Sequence, residues 1–287
     1  MRKTKIITIA AAGALTLWGC NVKDPIYETD HPEKGAVTVK ADWSNIGQGI
    51  TKPVKWTVAV GSHEGIAENT ESHTFKEPLD PGNYAVYAWN PAEYITLSGT
   101  TATVASDGSG IQAQPDWLFT ARMQATVEAD KEQVFTALMQ QQVRQLTLVI
   151  EPTGSTADKI ETISGSLSGV AGSYDMESGA HGSASSVALT FTKITTGDDA
   201  GKWAATVRLL GVTGTQQKLS GTITFAGGTP GDMPLDSDLS TALADFNDNK
   251  REPKTLGGQT TETPSPAGFT ATINGWTRID GGSGIAN

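Results

Sequence analysis

Apolar and polar residues alternate with period two along most of the chain after residue 35. Because successive side chains of a strand point to opposite faces, this pattern predicts half-buried β-strands. In AVTVKADW (36–43), Val37, Val39, Ala41 and Trp43 share one face, whereas in GNYAVYAWN (82–90) both faces are apolar, as in a central strand. Similar alternation predicts strands at Trp56–Val60, Phe119–Val127, Leu146–Ile150, Val187–Phe191, Trp203–Leu209, Leu219–Phe225 and Phe269–Ile273.

Turn signals separate these stretches, and few helical patterns lie between them. Asp80-Pro81-Gly82-Asn83 predicts a tight turn, and Ser98-Gly99 predicts a hairpin between short strands at 94–97 and 101–104. Recurring strands without alternating helices favour antiparallel β-sandwiches. One short helix is expected, with cap residues at 236–238 and an apolar stripe at i, i+4 and i+7, namely Leu239, Leu243 and Phe246.

The length of 287 residues fits two ordinary domains, and the polar stretch EADKEQ (128–133) offers a joint between them. We therefore predict an all-β protein with two tandem antiparallel sandwiches, one at 36–130 and one at 131–287. The second of these would carry the short helix, which would cover a sheet edge or the mouth of a sandwich.

The first 20 residues have the layout of an export signal. A basic start is followed by an apolar stretch from Ile6 to Trp18, which is too short for a permanent membrane span. Leu17-Trp18-Gly19-Cys20 is similar to a lipobox, which predicts a signal peptide at 1–19, cleavage between Gly19 and Cys20, and a fatty-acylated Cys20. Residues 20–35 would be a tether. A plain signal peptide with a chance cysteine is the alternative.

Cysteine and charge counts narrow the classes of function. Cys20 is the single cysteine, so the chain cannot form an internal disulfide. The net charge is −10, and removal of residues 1–19 leaves 18 basic against 31 acidic side chains. Such a chain repels a phosphate backbone, and it contains no cluster of lysines and arginines, so nucleic-acid binding is not expected.

The sequence contains no recognisable catalytic or metal-binding motif, and we predict neither cofactor nor metal. His31, His63, His73 and His181 are scattered in polar or turn-like stretches and are expected in solvated loops. The stretch 245–249 resembles the start of an EF-hand loop, but it lacks the glycine and glutamate that complete one. A hydrolase has no support in the sequence.

Six tryptophans remain after removal of the signal peptide, and most lie in phase with aliphatic neighbours. Core packing is the prediction for at least four of them. Trp89 is out of phase with Tyr84 and Val86, which makes it the candidate for an exposed ring that stacks on sugars. A surface lipoprotein that captures glycans through Trp89 is therefore the alternative function.

Five strand segments follow the lipobox in this order: HPEKGAVTVKADW (31–43), KWTVAVG (55–61), PGNYAVYAWN (81–90), QVRQLTLVIEP (142–152) and GFTATINGW (268–276). Taken together with the lipobox, they resemble the fimbrillin superfamily of Bacteroidales, whose members build type V pili. The resemblance is closest to the branch of fimbrial anchor or accessory subunits. It implies two transthyretin-like Greek-key sandwiches, an outer-membrane lipoprotein, and assembly by strand exchange.

One departure from this family pattern bears on function. Stalk subunits are typically cut after an early strand by an arginine-specific protease, but this chain has no arginine between Cys20 and Arg122. The strand at 36–43 would therefore stay attached to the lipid, which favours an anchor or accessory role. A protease that cuts at Lys34 or Lys40 would reverse that inference.

We therefore predict a structural, non-enzymatic subunit of a cell-surface fimbria, joined to its partners by β-strand addition. The expected partners are other fimbrial subunits, the outer membrane through the lipid, and ligands on host or bacterial surfaces. The candidate residues for strand exchange are Val37, Val39, Ala41, Phe269, Ala271 and Ile273. For the last three, an ordinary core strand of the second domain is the alternative.

Overall fold

The computed structural model of the protein describes residues 33–265 and 268–279, and it describes side chains outside 261–270. These residues form 18 strands and two short 3₁₀ turns, Ala157–Lys159 and Ala226–Gly228, so the all-β prediction is confirmed. The first ten strands are β1 (Ala36–Asp42), β2 (Lys55–Val60), β3 (His63–Glu68), β4 (Ser72–Thr74), β5 (Gly82–Trp89), β6 (Ile95–Ser98), β7 (Thr101–Val104), β8 (Phe119–Val127), β9 (Glu132–Leu138) and β10 (Gln140–Gln141). The remaining eight are β11 (Arg144–Glu151), β12 (Ile160–Asp175), β13 (His181–Lys193), β14 (Trp203–Leu209), β15 (Lys218–Phe225), β16 (Met233–Asp238), β17 (Lys254–Ser265) and β18 (Gly268–Arg278).

Two small sheets, which together form the first unit, enclose the first core. One has the order β4-β1-β9 and the other has the order β10-β8-β5-β2-β3. Their inward side chains, which include Val39, Trp56, Val58 and Phe119, are buried together in one cluster. Alternation produces this core directly, because each strand contributes every second residue to it.

The second half of the chain closes into an eight-stranded, barrel-like sheet and does not form a second sandwich. The strand order is β13-β14-β11-β17-β18-β16-β15-β12, and β12 also pairs with β13, which completes the ring. The prediction of purely antiparallel sheets is also wrong, because β1–β9, β11–β17 and β16–β18 are parallel pairs.

The long strand β12 explains why the sheet closes. Its first half pairs with β15 on one side and β13 on the other, and its register shifts at a bulge between Ser168 and Val170. Gly169 occupies that bulge with φ +72°, and a Cβ there would lie 2.1 Å from the backbone oxygen of Gln216. A bulge bends a strand and increases its twist, which is how an open sheet curls into a ring.

Strand pairing crosses residue 130 in both directions. Strands β9 and β10, which follow the predicted joint, pair with β1 and β8 in the first unit. The hairpin of β6 and β7, which precedes the joint, is attached to β12 of the barrel. Trp117 packs against both cores. The boundaries at 36–130 and 131–287 therefore stay a prediction.

The short helix is not confirmed. Residues 236–238 extend strand β16 instead of capping a helix, and residues 240–248 form successive turns. The predicted apolar stripe is nevertheless fully buried in the barrel core. The Leu243 N–H donates to the Leu239 carbonyl four residues back, at 2.9 Å, but the Phe246 N–H donates to Leu243 only three residues back, at 2.9 Å.

Candidate assembly site

Strand β1 is the middle strand of the three-stranded sheet, although it is the first element of the described chain. All seven of its residues pair in parallel with β9, and Thr38–Lys40 pair antiparallel with β4. Val37, Val39 and Ala41 point into the first core and are completely or almost completely buried. The predicted strand-exchange residues of this segment therefore form one continuous apolar face, held by hydrogen bonds on both edges of the strand.

The entry to β1 is closely packed. Gly35 exchanges two backbone hydrogen bonds with Leu79, at 2.8 and 2.9 Å. A Cβ at Gly35 would lie 2.4 Å from the backbone oxygen of Glu128, so only glycine fits this approach. Lys34, just outside, is exposed and forms an ion pair with Asp80 at 3.2 Å. The segment that carries the predicted tether thus enters the fold directly beside β9.

Strand β9 forms an open edge next to β1. Within the described residues, its outer side pairs with no other strand. Two of its outward side chains are unusually exposed for apolar residues, Val134 at 68% and Leu138 at 43%. Because an unpaired edge with exposed apolar residues is a template for another strand, β9 is the described segment best suited to strand addition.

The C-terminal candidates lie in β18, which is already paired on both edges. It runs antiparallel to β17 and pairs in parallel with β16 through Ala271 and Thr272. Ala271 and Ile273 are buried in the barrel core, and Phe269 lies among the residues whose side chains are not described. In this structure β18 is an ordinary core strand, and its role in exchange stays a prediction.

The six tryptophans predicted to remain in the mature chain are all at least partly buried. Trp89 is half-buried on β5, between Thr57 of β2 and Thr120 of β8. Trp56 and Trp203 are buried, and Trp43, Trp117 and Trp276 are partly buried against the two cores. Gly19 and Cys20 lie outside the described residues, so cleavage and lipidation stay predictions.

The histidines do not lie in solvated loops, so that prediction is wrong for the three that are described. His63, His73 and His181 are half-buried and lie in β3, β4 and β13, whereas His31 lies outside the described residues. Among the described residues, no group of three or more histidine, cysteine or acidic side chains could hold a metal ion. Asn247, in the EF-hand-like stretch, bonds to the backbone of Val212 on both of its side-chain polar atoms, each at 2.9 Å.

A polar cluster that the sequence did not predict joins the first unit to the barrel. Lys250 donates to the Gln142 side-chain carbonyl at 3.1 Å, contacts His181 Nε2 at 2.9 Å, and lies 4.8 Å from the centre of the Tyr174 ring. Burial lowers the pKa of Lys250 to about 7. Burial, with the Lys250 charge second, lowers the pKa of His181 to about 4. These groups line a cleft of about 470 Å³ and are bonded mainly to one another, which indicates a structural joint.

Arg144 fixes the turn segment that follows β16. Its guanidinium donates to the backbone carbonyls of Glu252 at 2.7 Å and Phe246 at 2.7 Å, and it lies 5.1 Å from the centre of the Phe246 ring. A sequence signal for this role existed, because Arg144 lies in phase with Leu146 and Leu148 on the buried face. A charged residue in an apolar stripe indicates a buried, hydrogen-bonded charge.

No helix in the described part of the chain is long and apolar enough to cross a bilayer. The sequence model of the fimbrillin-A associated anchor proteins Mfa1 and Mfa2 matches residues 59–280 of this chain. No curated protein sequence gives a significant match.

Solved structures share the fold at low sequence identity. A candidate adhesin from Bacteroides ovatus ATCC 8483 superposes with a TM-score of 0.58 at 17% identity, over 90% of this chain and 98% of that one. The fimbrial anchor protein Mfa2 from Porphyromonas gingivalis superposes with a TM-score of 0.56 at 16% identity, over 85% of this chain and 98% of that one. At these identities, the likeness establishes the shared fold alone.

Proposed function

Because the chain belongs to the family of fimbrillin-A associated anchor proteins Mfa1 and Mfa2, we propose that it is a lipid-retained anchor or accessory subunit of a fimbria. The resemblance that the strand order predicted is thereby confirmed. Membership makes the chain a fimbrial or adhesin-type surface protein, and not an enzyme. We further propose that a lipid on Cys20 holds the chain at the outer membrane and that β-strand addition joins it to other subunits.

The observation that carries the retention proposal is the position of β1. This strand follows the tether directly and is hydrogen-bonded on both edges within the first unit. No arginine lies between Cys20 and Arg122, and Arg122 itself lies in β8, which pairs with β5 over eight residues. Between Cys20 and Arg122, an arginine-specific protease therefore has no site at which it could separate the fold from the lipid.

The energetics of β1 support a lasting connection between the tether and the fold. Burial of each valine side chain contributes about 1.5–3 kcal/mol. Each hydrogen bond of the two ladders contributes about 0.5–1.5 kcal/mol net. With Val37, Val39, Ala41 and both edges paired, the gross contribution is on the order of 10 kcal/mol before ordering costs.

If β1 stays in place, a partner strand needs another position, and the open edge of β9 supplies it. The edge is seven residues long and carries Val134 and Leu138 on its exposed face. A strand added there would extend the sheet to four strands, with main-chain hydrogen bonds giving affinity and alternate side chains giving specificity. We propose that an extended segment of another fimbrial subunit occupies this edge.

Retention is tested by Cys20→Ser in cells that produce the fimbria. We expect the chain and its attached fimbriae to appear in the medium, because the single acylation site is lost. Gly19→Ala is the matched control, since it keeps a small residue before the cysteine and should leave the chain in the outer-membrane fraction. A Cys20→Ser chain that remains in that fraction would contradict the proposal.

Strand addition is tested by Val134→Lys, because an exposed lysine on an edge strand opposes pairing with another chain. We expect the variant to fold normally and to lose the subunits that co-purify with the wild-type chain. Val54→Lys, at another exposed valine (64%) that lies in a loop, should retain them. Equal recovery of partner subunits with both variants would rule out the β9 edge.

A further inference from the structure

Trp43, which follows β1, separates two neighbouring clefts at one end of the first unit. The clefts have volumes of about 430 Å³ and 370 Å³, and both are lined by Trp43 and Glu71. The indole packs edge-to-face against Phe119, with ring centres 5.8 Å apart, and remains partly exposed. Core contact therefore fixes the ring, while part of its surface faces the clefts.

The walls of the clefts are held by specific contacts. Trp56 Nε1 donates to the Thr70 carbonyl at 2.8 Å, which ties the turn after β3 to the core. The Asn69 N–H donates to the Val54 carbonyl at 2.7 Å, and Asn69 adopts φ +56°. Lys52 Nζ donates to Glu71 Oε1 at 2.7 Å across the second cleft. These contacts preorganise the site, so a ligand would not have to order it.

The clefts combine apolar and polar groups without net charge. Pro53 and Val54 continue the apolar surface beside the indole in the second cleft. Asp42 and Glu71 supply two carboxylates, and Lys40 and Lys52 supply two ammonium groups. The Ser44 N–H, at 2.9 Å from Asp42 Oδ1, keeps the pKa of Asp42 below its ordinary value, and Lys52 does the same for the pKa of Glu71. Both acids are therefore ionised at neutral pH and act as hydrogen-bond acceptors.

We propose that the Trp43 clefts form a binding site for a neutral saccharide, with one sugar ring stacked on the indole. A sugar ring has an apolar C–H face and a rim of hydroxyl groups, and an aromatic ring beside paired carboxylates and ammonium groups complements both. The balance of two positive and two negative groups favours an uncharged ligand over an acidic one.

This site differs from the one that the sequence predicted. Trp89 lies on β5 in the five-stranded sheet, whereas Trp43 lies at the end of β1 next to the loop that contains Lys52. Trp43 is in phase with the buried residues of β1, which is why its pattern predicted a core residue. The clefts arise because β1 ends at Asp42, so the ring is covered by loops instead of a neighbouring strand.

The test is isothermal titration calorimetry of the full chain with cellotetraose, mannotetraose, chitotetraose and the acidic tetragalacturonate. We expect saturable binding of at least one of the three neutral tetrasaccharides. Trp43→Leu should weaken that binding at least 10-fold, and Glu71→Gln should weaken it several-fold. Trp89→Leu is the matched control and should bind like the wild type.

Three results would overturn the proposal. These are no binding of any neutral tetrasaccharide, binding that Trp43→Leu leaves unchanged, and a preference for tetragalacturonate. Circular dichroism checks that each variant is folded. If Trp43→Leu fails that check, Glu71→Gln and Asp42→Asn decide the question. Glu71 is exposed and Asp42 is half-buried at the end of β1, so both replacements should reduce binding without unfolding the chain.

Discussion

Replacing Val39 by alanine measures how firmly β1 belongs to the first core. Val39 is completely buried, between the three-stranded and five-stranded sheets. The change removes two methyl groups and leaves a small cavity. At about 0.8 kcal/mol for each buried group plus a cavity term, we expect a loss of about 2 kcal/mol in the free energy of unfolding.

Val134→Ala is the control for this measurement. It makes the same chemical change on the neighbouring strand β9, at a side chain that is 68% exposed, so we expect a loss below about 0.5 kcal/mol. The assay is urea unfolding followed by tryptophan fluorescence, which reports on the first core through the buried Trp56. With a slope of about 2 kcal/mol/M, Val39→Ala should lower the midpoint by roughly 1 M.

The assignment of β1 to the first core would be refuted by equal midpoints for the two variants. It would also be refuted if Val39→Ala left the midpoint of the first unit unchanged, because β1 would then add little to that core. Should the two units unfold in separate steps, the shift belongs to the step that changes the environment of Trp56.

Three further predictions concern the barrel and the Lys250–His181 cluster. Arg144→Met should destabilise the chain by about 3–5 kcal/mol in urea unfolding, because it leaves buried carbonyls without donors. Arg122→Met, which removes an exposed ion pair, should cost less than about 1 kcal/mol. Similar costs for the two variants would contradict the assigned role of Arg144. Burial lowers the pKa of His181 from 6.5 to about 4, so the unfolded chain takes up a proton first and stability falls as the pH drops through that window. His181→Gln should flatten this part of the stability–pH curve, and an unchanged slope would exclude His181 as its source. Gly169→Ala should be more destabilising than Gly179→Ala by at least about 1 kcal/mol in thermal unfolding. Both glycines have positive φ, but only at Gly169 does backbone lie within 3 Å of the new Cβ. Equal losses of stability would contradict the close packing of the bulge.

The sequence predicted the strands that alternate clearly, because alternation is a local signal, but it did not predict β3, β4, β9, β10, β12, β16 or β17. The phase of Val37, Val39 and Ala41 predicted the buried face of β1. The phase of Leu146 and Leu148 did the same for β11. The phase of a residue within its own strand predicts whether that residue is buried, so no information from distant parts of the chain is needed.

Pairing between distant strands could not be predicted in this way. Nothing in the alternation of β1 indicates that it runs parallel to β9, 96 positions later in the register. The closure of the barrel depends on the bend in β12, which the sequence marks only by glycines such as Gly169. The prediction of a second, purely antiparallel sandwich failed for this reason, because register and closure are properties of the assembled sheet.

The candidate site was predicted in part. The apolar face of β1 was anticipated, whereas the open edge of β9 was not, since an edge is defined by the missing neighbour and not by its own residues. The helix prediction followed from a correct buried stripe at Leu239, Leu243 and Phe246, but buried turns satisfy the same spacing. The Lys250–His181 joint has no local pattern, because its members lie 69 positions apart.

Mass spectrometry of the mature N terminus, on chain purified from outer membranes and from fimbriae, tests the retention proposal most directly. We predict that the chain in both fractions begins at Cys20, carries fatty acyl groups and keeps all of β1. A new terminus between residues 35 and 45, or an unmodified Cys20, would contradict a lipid-retained subunit.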